Sequence, residues 1–402
     1  MTAELHISQQ AAPRPLVPPV APTRIALCLT GGGPTGAMFQ IGALAALEDA
    51  IEGLVAHELD LYVGTSSGAS VAATLAGGRP VQRVYRAFLD PADVYFSLER
   101  KHLMRVDLAE WRRTLVTAWG ALRQATASLW AQPPIATGGL REELERLEDS
   151  MPAGFLTLDA YERFLEDFFV RRGVPNNFHG MPHPLIVLAH DLDSGAEVQF
   201  GAPGWDSITV TRACIASSAL PPFFSPVRIG ERHYIDPGAA PVSHFRVALD
   251  RGADVIIAIN PMVPVSAASV PTGHGRGSSV RDKGLLWVSN QSLRIGVHHA
   301  VHAALALHRV AEQATLLLVE PEPEQGHLFM YNPSSYESRR RVLEYAYRST
   351  RALVDEWFAD PESALVRAGF RPNPSAEPVA PSVRPPAPGA SGPPAAFSWG
   401  GP

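Results

Sequence analysis

A glycine-flanked serine is the first residue in this sequence whose context predicts chemistry. Gly64-Thr65-Ser66-Ser67-Gly68 has the G-x-S-x-G pattern, in which the glycines permit a sharp turn that presents a serine hydroxyl. The pattern follows the apolar run Leu59–Val63 and precedes a stretch of small, helix-like residues, Ala69–Ala76. Strand, turn and helix in this order predict Ser66 as a nucleophile, with the helix dipole favouring its developing negative charge.

A glycine-rich loop directly follows the preceding predicted strand. In Thr30-Gly31-Gly32-Gly33-Pro34-Thr35-Gly36, the glycines let backbone N–H groups converge on a negative charge. That charge is either a bound phosphate or the oxyanion of an acyl-transfer transition state. Gly31, Gly33 and Gly36 also fit the dinucleotide fingerprint G-x-G-x-x-G, with Asp60 about 24 residues on, and a tight structural turn is a third interpretation. A hydrolase is favoured because it uses both this loop and Ser66.

The base that activates the serine is less evident from local sequence. Asp236 ends the hairpin-like segment 228–236 and precedes Pro237-Gly238, where an aspartate is either a base or only a turn former. A Ser-Asp-His arrangement is the alternative, and its candidate histidines are His244, His274, His298, His299, His302, His308 and His327. His298 and His302 have the i,i+4 spacing of helical metal ligands, but no carboxylate or thiolate follows at suitable spacing, so no metal is expected.

Alternating strands and helices must position these residues. The apolar runs that predict buried strands are Arg24–Thr30, Leu59–Val63, Leu185–His190, Val255–Ile259 and Leu316–Val319. Such runs, separated by helical patterns, predict a parallel sheet covered on both faces. Asp193-Ser194-Gly195 predicts a hairpin turn that adds the antiparallel strand Glu197–Phe200.

The stretch from about residue 90 to 180 interrupts this alternation and is predicted to contain helices only. Within it, apolar residues from Leu108 to Trp130, including Trp111 and Trp119, recur at helical spacing on one face. This amphipathic helix either packs on the core or forms a cap that contacts lipid. Residues 1–22 and 373–402 are rich in proline and small residues and are predicted to be a disordered arm and tail around one folded region.

Composition restricts the partners and the compartment. A net charge of −6 among 402 residues, with a pI near 6.2, lacks the basic character typical of nucleic-acid binding. The two cysteines, Cys28 and Cys214, are too few for a disulfide framework. No signal peptide and no long uncharged apolar stretch is found in this sequence, which predicts a cytoplasmic protein that contacts membranes only transiently and peripherally.

Three segments together resemble the patatin-like phospholipase family. They are Gly31–Gly36 with the helix after it, Gly64–Gly68, and the block from Ala216 to Gly238 that leads into Asp236. The resemblance spans roughly residues 23 to 360. It implies a three-layer α/β/α fold with a central, mainly parallel sheet and a helical insertion.

The resemblance also implies the roles of the site residues. Ser66 is expected to be the nucleophile and Asp236 the general base of a dyad, with the N–H groups of Gly31, Gly32 and Gly33 forming an oxyanion hole. Such enzymes hydrolyse acyl esters of phospholipids or neutral lipids through an acyl-enzyme and need no cofactor.

The sequence departs from the family's pattern at two positions. Thr35 stands where the family usually has arginine or lysine, which favours a neutral ester over a phospholipid. Pro237-Gly238 stands where Gly-Gly or Gly-Ala usually follows the aspartate, and proline fixes φ and lacks an N–H. Neither departure removes a catalytic group.

Overall fold

The computed structural model of the protein describes residues 23–375, apart from 91, 97–98, 104, 109–110, 113, 117–118, 120–151, 239–243, 267–278 and 331–334. The predicted arm, residues 1–22, lies outside the described residues, as does the predicted tail from residue 376 onward. Asn373, at the start of that predicted tail, is held to the end of the first helix. Its N–H and its side-chain amide donate to the carbonyls of Ala50 and Asp49 at 2.9 and 3.1 Å.

One mixed sheet forms the centre of the described chain. Its strands are β1 (Ile25–Leu29), β2 (Leu61–Gly64), β5 (Leu185–Asp191), β6 (Glu197–Phe200), β7 (Val227–Ile229), β8 (Arg232–Ile235), β9 (Val255–Ile259) and β10 (Thr315–Val319). The spatial order is β10-β9-β1-β2-β5-β8-β7, with β6 paired to β5. The strands from β10 to β5 are parallel, whereas β6, β7 and β8 pair in antiparallel fashion.

Helices cover both faces of this sheet. Those described are α1 (Gly33–Ala50), α2 (Ser67–Ala76), α3 (Val81–Leu89), α4 (Arg100–Leu103), α5 (Asp159–Arg172), α6 (Val210–Ser218), α7 (His244–Asp250), α8 (Leu285–Leu307), α9 (Val310–Gln313), α10 (Tyr336–Ala359) and α11 (Ala364–Arg367). Alternate residues of β1 enter two separate cores, because successive side chains of a strand point to opposite faces. Leu27 and Leu29 pack with α1, α2, α6 and α10, whereas Ala26 and Cys28 pack with α7 and α8. The predicted three-layer arrangement is therefore confirmed.

Strand prediction from the apolar runs was accurate to within one or two residues. Val255–Ile259 and the antiparallel Glu197–Phe200 have the predicted bounds, and the hairpin before Asp236 forms as β7 and β8. Apolar runs predict these strands well because strands buried on both faces are apolar throughout and end where turn residues begin. Cys28 and Cys214 are buried free thiols.

The segment between α3 and β5 differs from its prediction in two respects. It is not purely helical, because Arg105–Val106 (β3) and Leu156–Thr157 (β4) pair as a small antiparallel sheet. The described part of the amphipathic helix does not pack on the core: Leu108, Leu115 and Trp119 are 76%, 65% and 64% exposed. Trp111 lies nearer the body of the protein, and its indole N–H donates to the carbonyl of Phe155. Residues 120–130 of this predicted helix lie outside the described residues.

Within the part of the chain that the structure describes, no helix combines the length and the hydrophobicity required to cross a bilayer.

Candidate active site

Ser66 occupies a strained turn between β2 and α2. Its φ is +55°, a left-handed conformation that is rare for residues other than glycine, and it forms the N-cap of α2. Hydrogen bonds from Thr65 and Ser66 keep the turn in this strained conformation. The N–H of Thr65 donates to the carbonyl of Leu29 at 3.0 Å, and the N–H of Ser66 donates to Ser217 Oγ at 2.8 Å. The turn therefore places the serine side chain at the positive end of the α2 dipole.

The glycine loop and the serine turn touch each other directly. A Cβ on Gly31 would lie 2.9 Å from Ser66 Cβ and 3.4 Å from Ser66 Oγ. A Cβ on Gly68 would overlap the carbonyl oxygen of Thr30, so any larger residue would push the two turns apart. The glycines in both motifs thus serve one purpose, which is to let the loop after β1 and the turn after β2 approach closely.

Asp236 reaches the same point from the antiparallel part of the sheet. It directly follows β8, its N–H donates to the carbonyl of Ala219 at 3.0 Å, and it lines the same cavity as Ser66, near enough for the serine hydroxyl to lower the pKa of its carboxyl. Asp236 Oδ1 also accepts the N–H of Gly238 at 2.8 Å. The missing N–H of Pro237 therefore removes no hydrogen bond from the carboxylate, because the residue after the proline supplies the donor.

Burial sets the protonation behaviour of Asp236. The residue is only 7% exposed, and this burial raises the pKa of its carboxyl to about 6, against the lowering effect of the bonds from Ser66 and Gly238. A carboxylate with this pKa is ionised at neutral pH yet is a stronger base than an ordinary aspartate. The arrangement can therefore take a proton from the serine hydroxyl.

The first turn of α1 can stabilise negative charge beside Ser66. Gly32 has a φ of +142° and precedes the helix, and the N–H of Gly36 donates to its carbonyl at 3.0 Å. The N–H groups before Gly36 have no acceptor within the helix, as at every helix start. Gly31, Gly32 and Gly33 all line the same cavity as Ser66 and Asp236, so these helix-start residues border the space beside the two side chains.

An apolar cavity of about 420 Å³ opens onto this pair. Most of its wall consists of aliphatic and aromatic side chains, contributed by α1, α2, α3, α5 and α8 among others. Val84 and Phe88 of α3 and Leu293 and Val297 of α8 are examples. None of the residues described as lining the cavity is lysine or arginine. The volume and character suit a ligand with a long apolar part and one reactive polar group.

Among the described histidine candidates for a triad, His244 contacts the serine turn and lines the cavity, but its ring is bonded to Thr65 rather than to Ser66. Its Nε2 lies 2.6 Å from Thr65 Oγ1, and burial lowers its pKa to about 4 while a hydrogen bond to the backbone of Leu29 opposes that shift. The imidazole is thus neutral and holds the residue before Ser66. His299 is exposed, and His274 and the side chain of His327 lie outside the described residues.

Two residues that support the site were not found from the sequence. Ser217 joins the N–H of Ser66 to the carbonyl of Leu188, to which its hydroxyl donates at 2.6 Å. Arg294 is buried, and its guanidinium donates to the carbonyls of Pro261 and Val263 at 2.9 and 3.1 Å. Neither has a local sequence signal, because each acts on a segment far away along the chain.

Arg294 brings positive charge to the back of the glycine loop. The Pro261 ring that it helps to hold would lie 3.0 Å from a Cβ on Gly32. The described hydrogen bonds of Arg294 all go to neutral oxygens, including Asn290 Oδ1 at 2.8 Å, and burial lowers its pKa to about 10. Thr35 does not supply such a charge, since its hydroxyl is buried and donates to the carbonyl of Phe329.

The dinucleotide interpretation of the glycine loop fails on the position of Asp60. This residue precedes β2, and its carboxylate accepts the N–H of Ile25 at the start of β1, at 2.7 Å. Because β1 and β2 are parallel, Asp60 lies at the opposite edge of the sheet from Gly31–Gly36. It therefore cannot bind the ribose of a nucleotide held by that loop.

Comparison with known proteins agrees with this geometry. The family model of patatin-like phospholipases matches residues 27–245, more than half of the chain. No curated protein sequence matches the chain. The segment matched contains the glycine loop, the serine turn and Asp236.

Solved structures show weaker likeness. VipD from Legionella pneumophila is 15% identical, with a TM-score of 0.35 and alignment over 83% of this chain and 67% of VipD. The type III effector ExoU, from Pseudomonas aeruginosa, is 16% identical, with a TM-score of 0.32 and coverage of 83% and 53%. Human GIVD cytosolic phospholipase A2 is 11% identical, with a TM-score of 0.30 and coverage of 83% and 58%. This chain thus spans about half to two thirds of these structures.

Proposed function

The chain is a member of the patatin-like phospholipase family, and from that membership we propose that it hydrolyses acyl esters of lipids with Ser66 as nucleophile and Asp236 as general base. The observation that supports this most directly is the meeting of Ser66, Asp236 and the glycine loop in one apolar cavity. We further propose that one hydrolase domain comprises residues 23–372, with a mainly helical insertion at about 90–180.

The proposed reaction has two stages. Asp236 accepts the proton of Ser66 Oγ as the oxygen attacks the ester carbonyl, and it then delivers that proton to the departing alcohol. Asp236 next takes a proton from water as the water attacks the acyl-enzyme, and it returns that proton to Ser66 Oγ as the ester bond breaks and the fatty acid leaves. Backbone N–H groups of Gly31, Gly32 and Gly33 stabilise the oxyanion in both stages, and each such donor is worth about 3–4 kcal/mol in hydrolases.

The cavity favours substrates that are recognised mainly through their acyl chain. Its described wall offers no lysine or arginine, and Thr35 leaves the glycine loop without a cationic side chain. A phosphate would have to stay outside this wall, since an anion without a partner in an apolar site loses much of its solvation free energy. We therefore propose that neutral acyl esters are turned over at least as well as diacyl phospholipids.

Hydrolysis of p-nitrophenyl acyl esters of increasing chain length tests the proposal. Ser66→Ala is expected to lose hydrolysis entirely, whereas Ser349→Ala, which removes a hydroxyl on α10 that donates to the carbonyl of Ala346, should retain it. A fluorophosphonate probe should label the wild type on the peptide that carries Ser66. Unchanged hydrolysis by Ser66→Ala would overturn the nucleophile assignment.

The same experiments address a scaffold that binds lipid without turnover. Such a protein would show neither hydrolysis nor fluorophosphonate labelling while still binding fatty acid in the cavity. Comparison of monoacylglycerol and phospholipid substrates then tests the preference for neutral esters. A clear preference for phospholipid would contradict the argument from the uncharged cavity wall.

A further inference from the structure

Outside the proposed active site, two histidines and a glutamate meet where helix α8 passes the end of β10. His298 and His302 are one turn apart on α8, and Glu320 is the residue directly after β10. His302 Nε2 lies 3.0 and 3.3 Å from the two carboxylate oxygens of Glu320, and His298 Nδ1 lies 3.4 Å from its Oε1. The three nearest ligand atoms lie within 4.8 Å of one another. Among the described residues, these three are the ones whose histidine, cysteine or carboxylate ligand atoms come close enough together to hold a metal ion.

His298 makes this cluster more than a surface ion pair. Its Nδ1 is buried from solvent and has no hydrogen-bond partner, although the carboxylate oxygen is near. A buried polar atom without a partner destabilises the folded state, so native structures rarely keep one without an ion, a water or a functional reason. The unpartnered nitrogen faces the same carboxylate as His302, which identifies the space between the three groups as the place where a ligand would bind.

We propose that His298, His302 and Glu320 bind a divalent transition-metal ion of the zinc class. Imidazole nitrogens with one carboxylate are a common zinc ligand set, whereas calcium and magnesium need more oxygen ligands. Neighbouring ligands of a tetrahedral zinc ion stand about 3.4 Å apart, since zinc–nitrogen and zinc–oxygen bonds are about 2.0–2.2 Å. The distance from His302 Nε2 to Glu320 Oε2, 3.0 Å, and that from His298 Nδ1 to Glu320 Oε1, 3.4 Å, are close to that value. Three protein ligands leave the fourth position for water.

The carboxylate is already oriented by a buried amide. Asn260 Nδ2 donates to Glu320 Oε1 at 2.6 Å, and Asn260 Oδ1 in turn accepts the hydroxyl of Thr30 at 3.0 Å and the N–H of Met262 at 3.1 Å. Asn260 is 1% exposed, so these bonds fix its side chain. Partners of this kind hold a ligating carboxylate in position and raise metal affinity.

The location gives the proposed metal a structural consequence. The adjoining face of α8 carries Leu293, Val297 and Val301, which line the acyl cavity. A metal bound by His298, His302 and Glu320 would fasten this wall to the end of β10. Through Asn260 it would also adjoin Thr30, the residue before the glycine loop. The metal site is independent of the proposed hydrolysis, because none of its three ligands lines the cavity.

Zinc binding by the full chain, first stripped with a chelator, tests the proposal. Titration calorimetry with ZnCl2 is expected to show one site per chain and thermal unfolding should shift upward with zinc. His298→Ala and Glu320→Gln should each weaken this binding by more than about 100-fold, since changes to groups that only orient ligands already cost about 10–100-fold. Cobalt should give the intense visible absorption of a tetrahedral site in the wild type, but not in His298→Ala or Glu320→Gln.

His299→Ala is the matched control, because His299 is the next residue on α8 and is exposed. The chain has 14 histidines, and zinc can bind weakly to exposed ones. Loss of this exposed histidine therefore shows how much such weak surface binding contributes. This variant should bind zinc as the wild type does. Absence of a tight site in the wild type, or equal zinc affinity in the His299→Ala, His298→Ala and Glu320→Gln variants, would overturn the proposal and leave a simple pairing of His302 with Glu320. Glu320→Gln retains the size of the side chain and so decides the matter if His298→Ala does not fold.

Discussion

Replacing Asp236 by asparagine should abolish catalysis and at the same time stabilise the fold at neutral pH. Asparagine has the shape of aspartate and can still accept the N–H of Gly238. It cannot accept the proton of Ser66, so kcat/KM should fall by at least about 100-fold, the lower end of what a general base contributes. It also removes a buried negative charge, which should stabilise the folded state at neutral pH.

The size of the expected gain in stability follows from the pKa of Asp236, which burial raises from 3.8 to about 6. Because the folded state binds this proton more tightly than the unfolded chain, Asp236 costs no stability below about pH 3.8. Stability is then lost as the pH rises to about 6, and the loss is about 3 kcal/mol at one pKa unit per roughly 1.4 kcal/mol. With an unfolding entropy of about 2.1 cal/mol/K per residue over roughly 350 residues, this corresponds to about 4 °C in Tm.

Urea unfolding of the wild type and Asp236→Asn across this pH range measures the effect. The two stabilities should converge at low pH and separate as the pH rises to 6 and above, with the variant more stable. Over the same range, kcat/KM of the wild type should rise with pH through about 6, as Asp236 ionises.

Asp191→Asn provides a control of opposite sign. Asp191 ends β5 and is also buried, but the hydrogen bond from Arg232, 2.7 Å away, holds its pKa below the ordinary value. Its ionised form is therefore stabilising at neutral pH, and the asparagine variant should be less stable than the wild type. If Asp236→Asn were no more stable than the wild type at neutral pH, the argument for a desolvated catalytic carboxylate would be refuted.

Three further predictions concern the turn that holds the nucleophile. Ser66→Gly should be as inactive as Ser66→Ala but more stable by about 1–2 kcal/mol in urea unfolding, because glycine accepts the φ of +55° without strain; equal stabilities would show that the turn is unstrained. Ser217→Ala should lower stability by about 1–3 kcal/mol and reduce kcat, since it removes the acceptor of the Ser66 N–H and the bond from Ser217 to the carbonyl of Leu188. Ser218→Ala, which loses only a bond to the carbonyl of Cys214, should be clearly more stable than Ser217→Ala. Gly68→Ala should cost about 1–3 kcal/mol and lower activity by forcing the Thr30 carbonyl away from the serine turn, as steady-state kinetics and unfolding would both show.

The local part of the site could be predicted because its elements are continuous in sequence. The runs before Gly31 and Gly64 are apolar throughout, as strands buried on both faces must be, and parallel strands joined by a helix place their following turns at one edge of the sheet. The close approach of Gly31 to Ser66 is a direct consequence of that topology. Asp236 was predicted as the base only because the block around it resembles the family, and in the structure β7 and β8 bring it into the cavity that Ser66 lines.

The amino-acid sequence by itself determined the α/β class, the strand positions and the pairing of a glycine loop with a serine turn, since these depend on hydrophobic periodicity and glycine at fixed positions. Only the tertiary structure decided what surrounds them: the cavity walls from α3 and α8, the support from Ser217 and Arg294, and the exposure of Leu108 and Trp119. It also supplied Glu320 as the carboxylate beside His298 and His302, which no spacing along the chain had indicated. The physical reason is that each of these contacts joins side chains far apart in sequence, and packing of the sheet layers fixes their distances.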